Sequence, residues 1–179
     1  STTPNEYVAR AIDQQSAGAS NAAILELKNA LQKEPRHAEA RYLLGTLYLE
    51  QGQLAAAEKE LYRAIDYGVE RQSVAVPLAQ VLLAQGKYQE LIDGVDGLSL
   101  SPGTAQARLL ALKGHAYLGL GRPNAAEQRY DEALQLNMAS AEAKTGKAQL
   151  AISRDEYKIA RKHIEEVLAS APDFAFALN

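Results

Sequence analysis

The chain contains no cysteine. That excludes a disulfide framework, a thiolate metal site and a thiol nucleophile, and it leaves the compartment open. Tryptophan is also missing, and the other aromatics are nine tyrosines and two phenylalanines. No run of lysine and arginine stands out; acids and bases are interspersed and the net charge is −3. Counterion release on nucleic acid and adsorption to a membrane surface both need a basic face, so neither a nucleic-acid partner nor polybasic membrane binding is expected. No stretch of about 18 apolar residues occurs that could span a membrane as a helix. No secretory signal peptide is read at the start.

Glycine and proline are sparse, at 12 and 6 residues, and they fall at intervals. Alanine, leucine, glutamate, glutamine, lysine and arginine dominate, which is the profile of an all-helical protein with small side chains between close-packed helices. The glycines carry the first organising signal. Gly18, Gly52, Gly86 and Gly121 are spaced by 34, 34 and 35 residues, and the next position in the series is Asp155. Each ends one apolar-periodic stretch just before another begins, where a turn between antiparallel helices calls for positive φ.

Aligned on these turns, the chain gives repeats at 4–37, 38–71, 72–106, 107–140 and 141–174, with 175–179 as the start of a further helix. Small residues then fall in register. Ala11, Gly45, Ala79, Gly114 and Ala148 precede the turns, and Ala23, Ala57, Leu91, Ala126 and Ala160 follow them. Leu27, Leu61, Val95, Tyr130 and Ile164 come four residues later, and Ala30, Ala64, Leu98, Ala133 and Val167 three beyond that, on one helical face.

This pattern resembles the tetratricopeptide repeat, W-x2-L-G-x2-Y followed by A-x3-F and a closing Pro. Repeat two reads Arg41-x2-Leu44-Gly45-x2-Tyr48 and Ala57-x3-Leu61; repeat four reads Leu110-x2-Lys113-Gly114-x2-Tyr117 and Ala126-x3-Tyr130. Pro35 and Pro172 stand at the closing position, where repeats two and four carry Val69 and Met138. No repeat has the first Trp. The resemblance implies an all-α, right-handed α-α superhelix of about five hairpins forming a single domain over 1–179. Repeat three is irregular: Gly94, Gly97 and Pro102-Gly103 predict a short second helix and a long loop. Pro77 lies near the start of that repeat's first helix, tolerable in the first turn and a source of bending if deeper.

The family's register assigns the inner, concave face to four positions on each first helix. In repeats one to three these are Asn5, Val8, Ile12 and Gln15; Glu39, Tyr42, Thr46 and Leu49; Ser73, Val76, Gln80 and Leu83. In repeats four and five they are Arg108, Ala111, His115 and Leu118, then Glu142, Thr145, Gln149 and Ile152. Such a groove has polar rims and some apolar floor, suited to an extended peptide or a partner helix. The Lys/Asn/Arg set with which related modules grip a C-terminal carboxylate is missing. Most of the recurring tyrosines, from Tyr48 to Tyr157, read as packing residues, and Tyr42 as the one aimed into the groove.

Nothing in the pattern points to catalysis or to a cofactor. His37, His115 and His163 lack metal-ligand spacing. Acids such as Glu58 and Glu60 read as solvated helix-face residues, and Glu127–Arg129 is an i+2 pair whose side chains do not face each other. Gly119-Leu120-Gly121 lacks the preceding strand that a dinucleotide fingerprint needs.

Two stretches carry a narrower resemblance. Residues 22–68 and the later QARLLALKGHAYLGLGRPNAAEQRYDEAL are similar to the N-terminal region of the TPR lipoproteins of PEP-CTERM/exosortase systems in Gram-negative bacteria. That similarity implies an interaction scaffold on the periplasmic side of the envelope, anchored through a lipoprotein signal upstream and tied to exopolysaccharide export or protein sorting. Both ends of the chain read as cut from a longer protein. A regulatory TPR region of a larger enzyme such as a glycosyltransferase, and a structural self-assembling array, are the alternatives; without the envelope link the expected site is cytoplasmic.

Overall fold

The computed structural model describes residues 2–95, 97–98 and 100–170. Among these the chain is all-helical, with ten α-helices: α1 Pro4–Ser16, α2 Ser20–Lys33, α3 Ala38–Glu50, α4 Leu54–Asp66, α5 Arg71–Ala84, α6 Tyr88–Val95, α7 Thr104–Gly119, α8 Pro123–Leu136, α9 Ala141–Ser153 and α10 Tyr157–Ser170. They form two compact units, Ser1–Val81 and Leu82–Asn179, with the boundary inside α5. Pro172 and the apolar stretch Phe174–Leu178 lie outside the described residues.

Local chemistry sets several helix starts. Thr3 and Glu6 cap α1 reciprocally, with Pro4 in the first turn. His37 caps α3 by accepting the Ala40 N–H, and Ser140 caps α9 by accepting that of Ala143. The five turns take the left-handed backbone their spacing calls for: φ is +75° at Gly18, +71° at Gly52, +72° at Gly86, +69° at Gly121 and 61° at Asp155. A Cβ on Gly52 would meet nothing within 4 Å, so its requirement is purely conformational. Gly52→Ala should therefore cost about 1 kcal/mol, and Asp155→Gly should gain up to about 1 kcal/mol, losing only an exposed bond from the Tyr157 hydroxyl. Denaturant midpoints of the two variants would check both signs.

In the first unit, α1 packs on α2, α2 on α3 and α3 on α4. Val8, Ala11, Ala23, Leu27, Ala30, Ala40, Leu44 and Leu47 belong to one continuous core cluster. Gly45 permits the α3–α4 approach, since a Cβ there would sit 2.8 Å from Leu61 Cγ. In the second unit α7 packs on α8, α8 on α9 and α9 on α10. Its core holds Ala107, Ala111, Ala126, Tyr130, Ala133 and Ala143.

Four expectations need correction. Leu98 lies beyond the end of α6, so it shares no helical face with Leu91 and Val95. Ile164 is 37% exposed where Leu27, Leu61 and Tyr130 are fully buried. Among the tyrosines only Tyr130 is buried; Tyr48 and Tyr117 pack half-buried against the cores as expected, whereas Tyr67 and Tyr157 are exposed. Glu60 is not solvated: it is buried on α4 and paired with Arg41 and Arg63. Repeat three is irregular as its glycines predict, since α6 has only 8 residues. Pro77 sits in the interior of α5, so the Ser73 carbonyl has no proline N–H to accept.

Candidate functional site

The residues expected to line the inner face lie on the first helix of each hairpin. In the first unit Val8 is buried in the core, and Ile12, one turn on, is 42% exposed. Asn5 and Glu39 are exposed, and Tyr42, Thr46 and Leu49 are half-buried along α3. Asn5 Oδ1 lies 2.8 Å from His37 Nε2, and because His37 Nδ1 accepts the Ala40 N–H, Nε2 carries the proton given to Asn5. Gln15 donates to Glu50 across to α3. The Thr46 hydroxyl donates back to the Leu43 carbonyl, so its methyl is the part left for contact. Ser73 is exposed, and Val76, Gln80 and Leu83 are half-buried on α5.

The second unit brings three of the expected residues together. Arg108 Nε on α7 lies 3.0 Å from Glu142 Oε1 on α9. His115, two turns further along α7, accepts at Nδ1 from the Tyr130 hydroxyl at 2.9 Å, with the rings edge to face at 5.2 Å. Burial holds the His115 pKa below the ordinary 6.5, while a hydrogen bond to the Glu142 backbone and the Glu142 charge both favour its protonated form. Burial likewise pushes the Tyr130 hydroxyl up. Ala111 is wholly buried, Leu118 and Thr145 are half-buried, and Gln149 and Ile152 are exposed. Arg108, His115 and Glu142 are thus one connected group, whereas Gln149 stands apart from it. Among the described residues no three His, Asp or Glu side chains gather as metal ligands, and no helix is long and apolar enough to cross a membrane.

The sequence pattern does not anticipate the ionic cluster behind this face. Glu127 on α8 takes both Lys147 of α9 and a bidentate Arg154 at the C-terminal cap of that helix, and Lys147 also reaches Asp131. Arg129 turns instead to Glu132, one turn along α8. The Arg154 hydrogen bonds, then those of Lys147, pull the Glu127 carboxyl from 4.5 down to about 2. A carboxyl depressed in the folded state contributes stability above its unfolded pKa and loses it as pH falls. The stability gap between the native chain and Glu127→Gln should therefore close as pH falls from about 4.5 to about 2. Above that window the gap should be at most about 1 kcal/mol, because the cluster is partly solvated. Thermal unfolding across the pH range would read it.

A tetratricopeptide-repeat family model matches residues 15–75 and 117–177. No protein of curated function matches the sequence. Solved structures share the fold at low identity. PilF of Pseudomonas aeruginosa is 20% identical, with a TM-score of 0.76 over 94% of this chain and 76% of its own. MamA of Desulfovibrio magneticus is 17% identical, with a TM-score of 0.76 over 95% and 96%. YrrB, described as a TPR protein with an unusual peptide-binding site, is 16% identical, with a TM-score of 0.69 over 97% and 89%.

Proposed function

Because this chain belongs to the tetratricopeptide-repeat family, we propose that it is a protein-interaction scaffold that holds a peptide or a partner helix on its first-helix residues. The carrying observation is that the first helices present both exposed apolar side chains and polar anchors. Ile12 and Ile152 are 42% and 47% exposed, and the same set of helices carries Asn5, Tyr42 and Thr46 in one unit and Arg108, His115 and Glu142 in the other. A peptide could bury the aliphatic patches and hydrogen-bond the polar groups. The peptide-binding site named for YrrB, a protein of the same fold, supports the reading.

The finer placement is an envelope scaffold serving exopolysaccharide export or PEP-CTERM protein sorting, on the resemblance of residues 22–68 and 106–134. Capture of partners from a Gram-negative envelope extract tests both levels. Tyr42→Ala or Arg108→Glu should weaken the captured partner about tenfold, the effect of truncating a central contact residue. A partner indifferent to both changes would remove the first-helix reading, and capture only from cytosolic extract would remove the envelope placement.

A further inference from the structure

Two hydrogen bonds hold α1 and α3 side by side in the first unit. Asn5 meets His37 at the start of α3, and Gln15 donates to Glu50 at its end. Between these bridges α3 carries the half-buried Tyr42, Thr46 and Leu49. Helical spacing puts the three on one stripe with Glu39 and Glu50, all within about 100° of the helix circumference. Both glutamates are exposed. The stripe is thus a short apolar strip with an acid at each end, the two acids standing about 16 Å apart along the helix axis.

Among the described residues no lysine or arginine pairs with either acid. Glu50 accepts from the neutral Gln15 amide at 3.3 Å, through one oxygen. The one base of α1, Arg10, lies over the Tyr7 ring, and the one base of α3, Arg41, is bound to Glu60 and to the Pro35 carbonyl. The second unit answers the same repeat position internally, since Glu142 on α9 takes Arg108 of α7 at 3.0 Å. Glu39 stands in the place of Glu142, and Asn5 in the place of Arg108. Asn5 is neutral and turned to His37. The first unit keeps the acid and lacks its base.

We propose that this stripe of α3 docks an extended, basic segment of a partner protein. Two Lys or Arg about five residues apart reach Glu39 and Glu50, with aliphatic residues between them over Tyr42, Thr46 and Leu49. About five extended residues cover roughly 16 Å at about 3.3 Å each. A cation drawn to Glu39 also meets the Tyr42 ring one turn on, a further attraction for Lys or Arg. The Thr46 hydroxyl is spent on the Leu43 carbonyl, so the middle of the strip offers its methyl to an aliphatic side chain. An acidic segment would be repelled at both ends. The inference rests on the first-helix reading and adds to it the charge of the partner.

Selection of displayed random dodecapeptides on the native chain, at about 50 mM salt, tests it. Enriched peptides should carry Lys or Arg on both sides of aliphatic residues. A selected peptide, synthesised with a fluorophore, should bind Glu39→Gln/Glu50→Gln about fivefold more weakly by anisotropy, the effect of two exposed ion pairs. Replacing the flanking bases of the peptide by Gln should give the same loss on the unmodified chain, which decides the question even where the variant folds poorly. Peptides that need Tyr42 but bind the native chain and the double variant equally would overturn the proposal and leave the first-helix reading standing. So would enrichment of Asp and Glu in such peptides. Binding that survives Tyr42→Ala would remove that reading and the proposal together, and a selection without binders would overturn the proposal.

Discussion

Tyr130→Ala should lower the stability of the second unit by about 3–5 kcal/mol, the range for truncating a buried aromatic. The ring is fully buried and the hydroxyl holds His115. Two glycines make room for it: Gly114 on α7 and Gly146 on α9, where a Cβ at either position would overlap the Tyr130 ring. One side chain from α8 therefore joins both neighbouring helices. Tyr130→Phe isolates the hydroxyl, and leaving the half-buried His115 nitrogen unpaired should cost about 1–2 kcal/mol. Gly146→Ala tests the socket from the other side. Alanine gains about 1 kcal/mol of helix propensity over glycine, but a ring with no exposed edge cannot yield without strain of about 1–3 kcal/mol or more. Net destabilisation is expected, and it should shrink when Tyr130→Leu is combined with it, as a double-mutant cycle in urea would show.

The linear pattern and the packed structure agree where one residue carries its own reason. A left-handed turn needs glycine or a tolerant Asp, so the series from Gly18 to Asp155 is visible without knowing any neighbour. The short α6 is visible for the same reason, because Gly94, Gly97 and Pro102 act locally. Agreement fails where the reason lies in another helix. Gly146 looks like an unremarkable glycine until the Tyr130 ring is placed against it. Glu60 and Glu58 are alike in the sequence, and it is Glu60 that the packing buries and Arg41 from α3 meets. A usable signal was present there: Arg41 stands where the repeat pattern has Trp, and a cation at an interior position requires an acid within reach. For the candidate site the same division holds. The register picks out Arg108, His115 and Glu142 separately, but their connection through Tyr130 and the Glu142 backbone depends on how α7, α8 and α9 pack.

Arg41→Ala should cost about 3–5 kcal/mol of stability in the first unit, at the lower end of that range because Arg63 remains beside Glu60. Glu60 is 7% exposed, and removing Arg41 leaves a carboxylate in an apolar joint with one weak partner at 3.4 Å. The Pro35 carbonyl would lose both guanidinium hydrogen bonds as well, loosening the end of α2 from α3. Glu60→Leu alone should cost less. It strands a guanidinium that still has the Pro35 carbonyl and is itself near enough to solvent to rehydrate, its side chain being 13% exposed. The informative variant is the double one. Replacing Arg41 and Glu60 together by Met and Leu removes the desolvation cost of both charges, and should recover most of the loss or exceed native stability. If the double variant is as unstable as Arg41→Ala, the pair contributes through the Pro35 carbonyl and not through the charge on Glu60. Urea unfolding of the three variants distinguishes these outcomes.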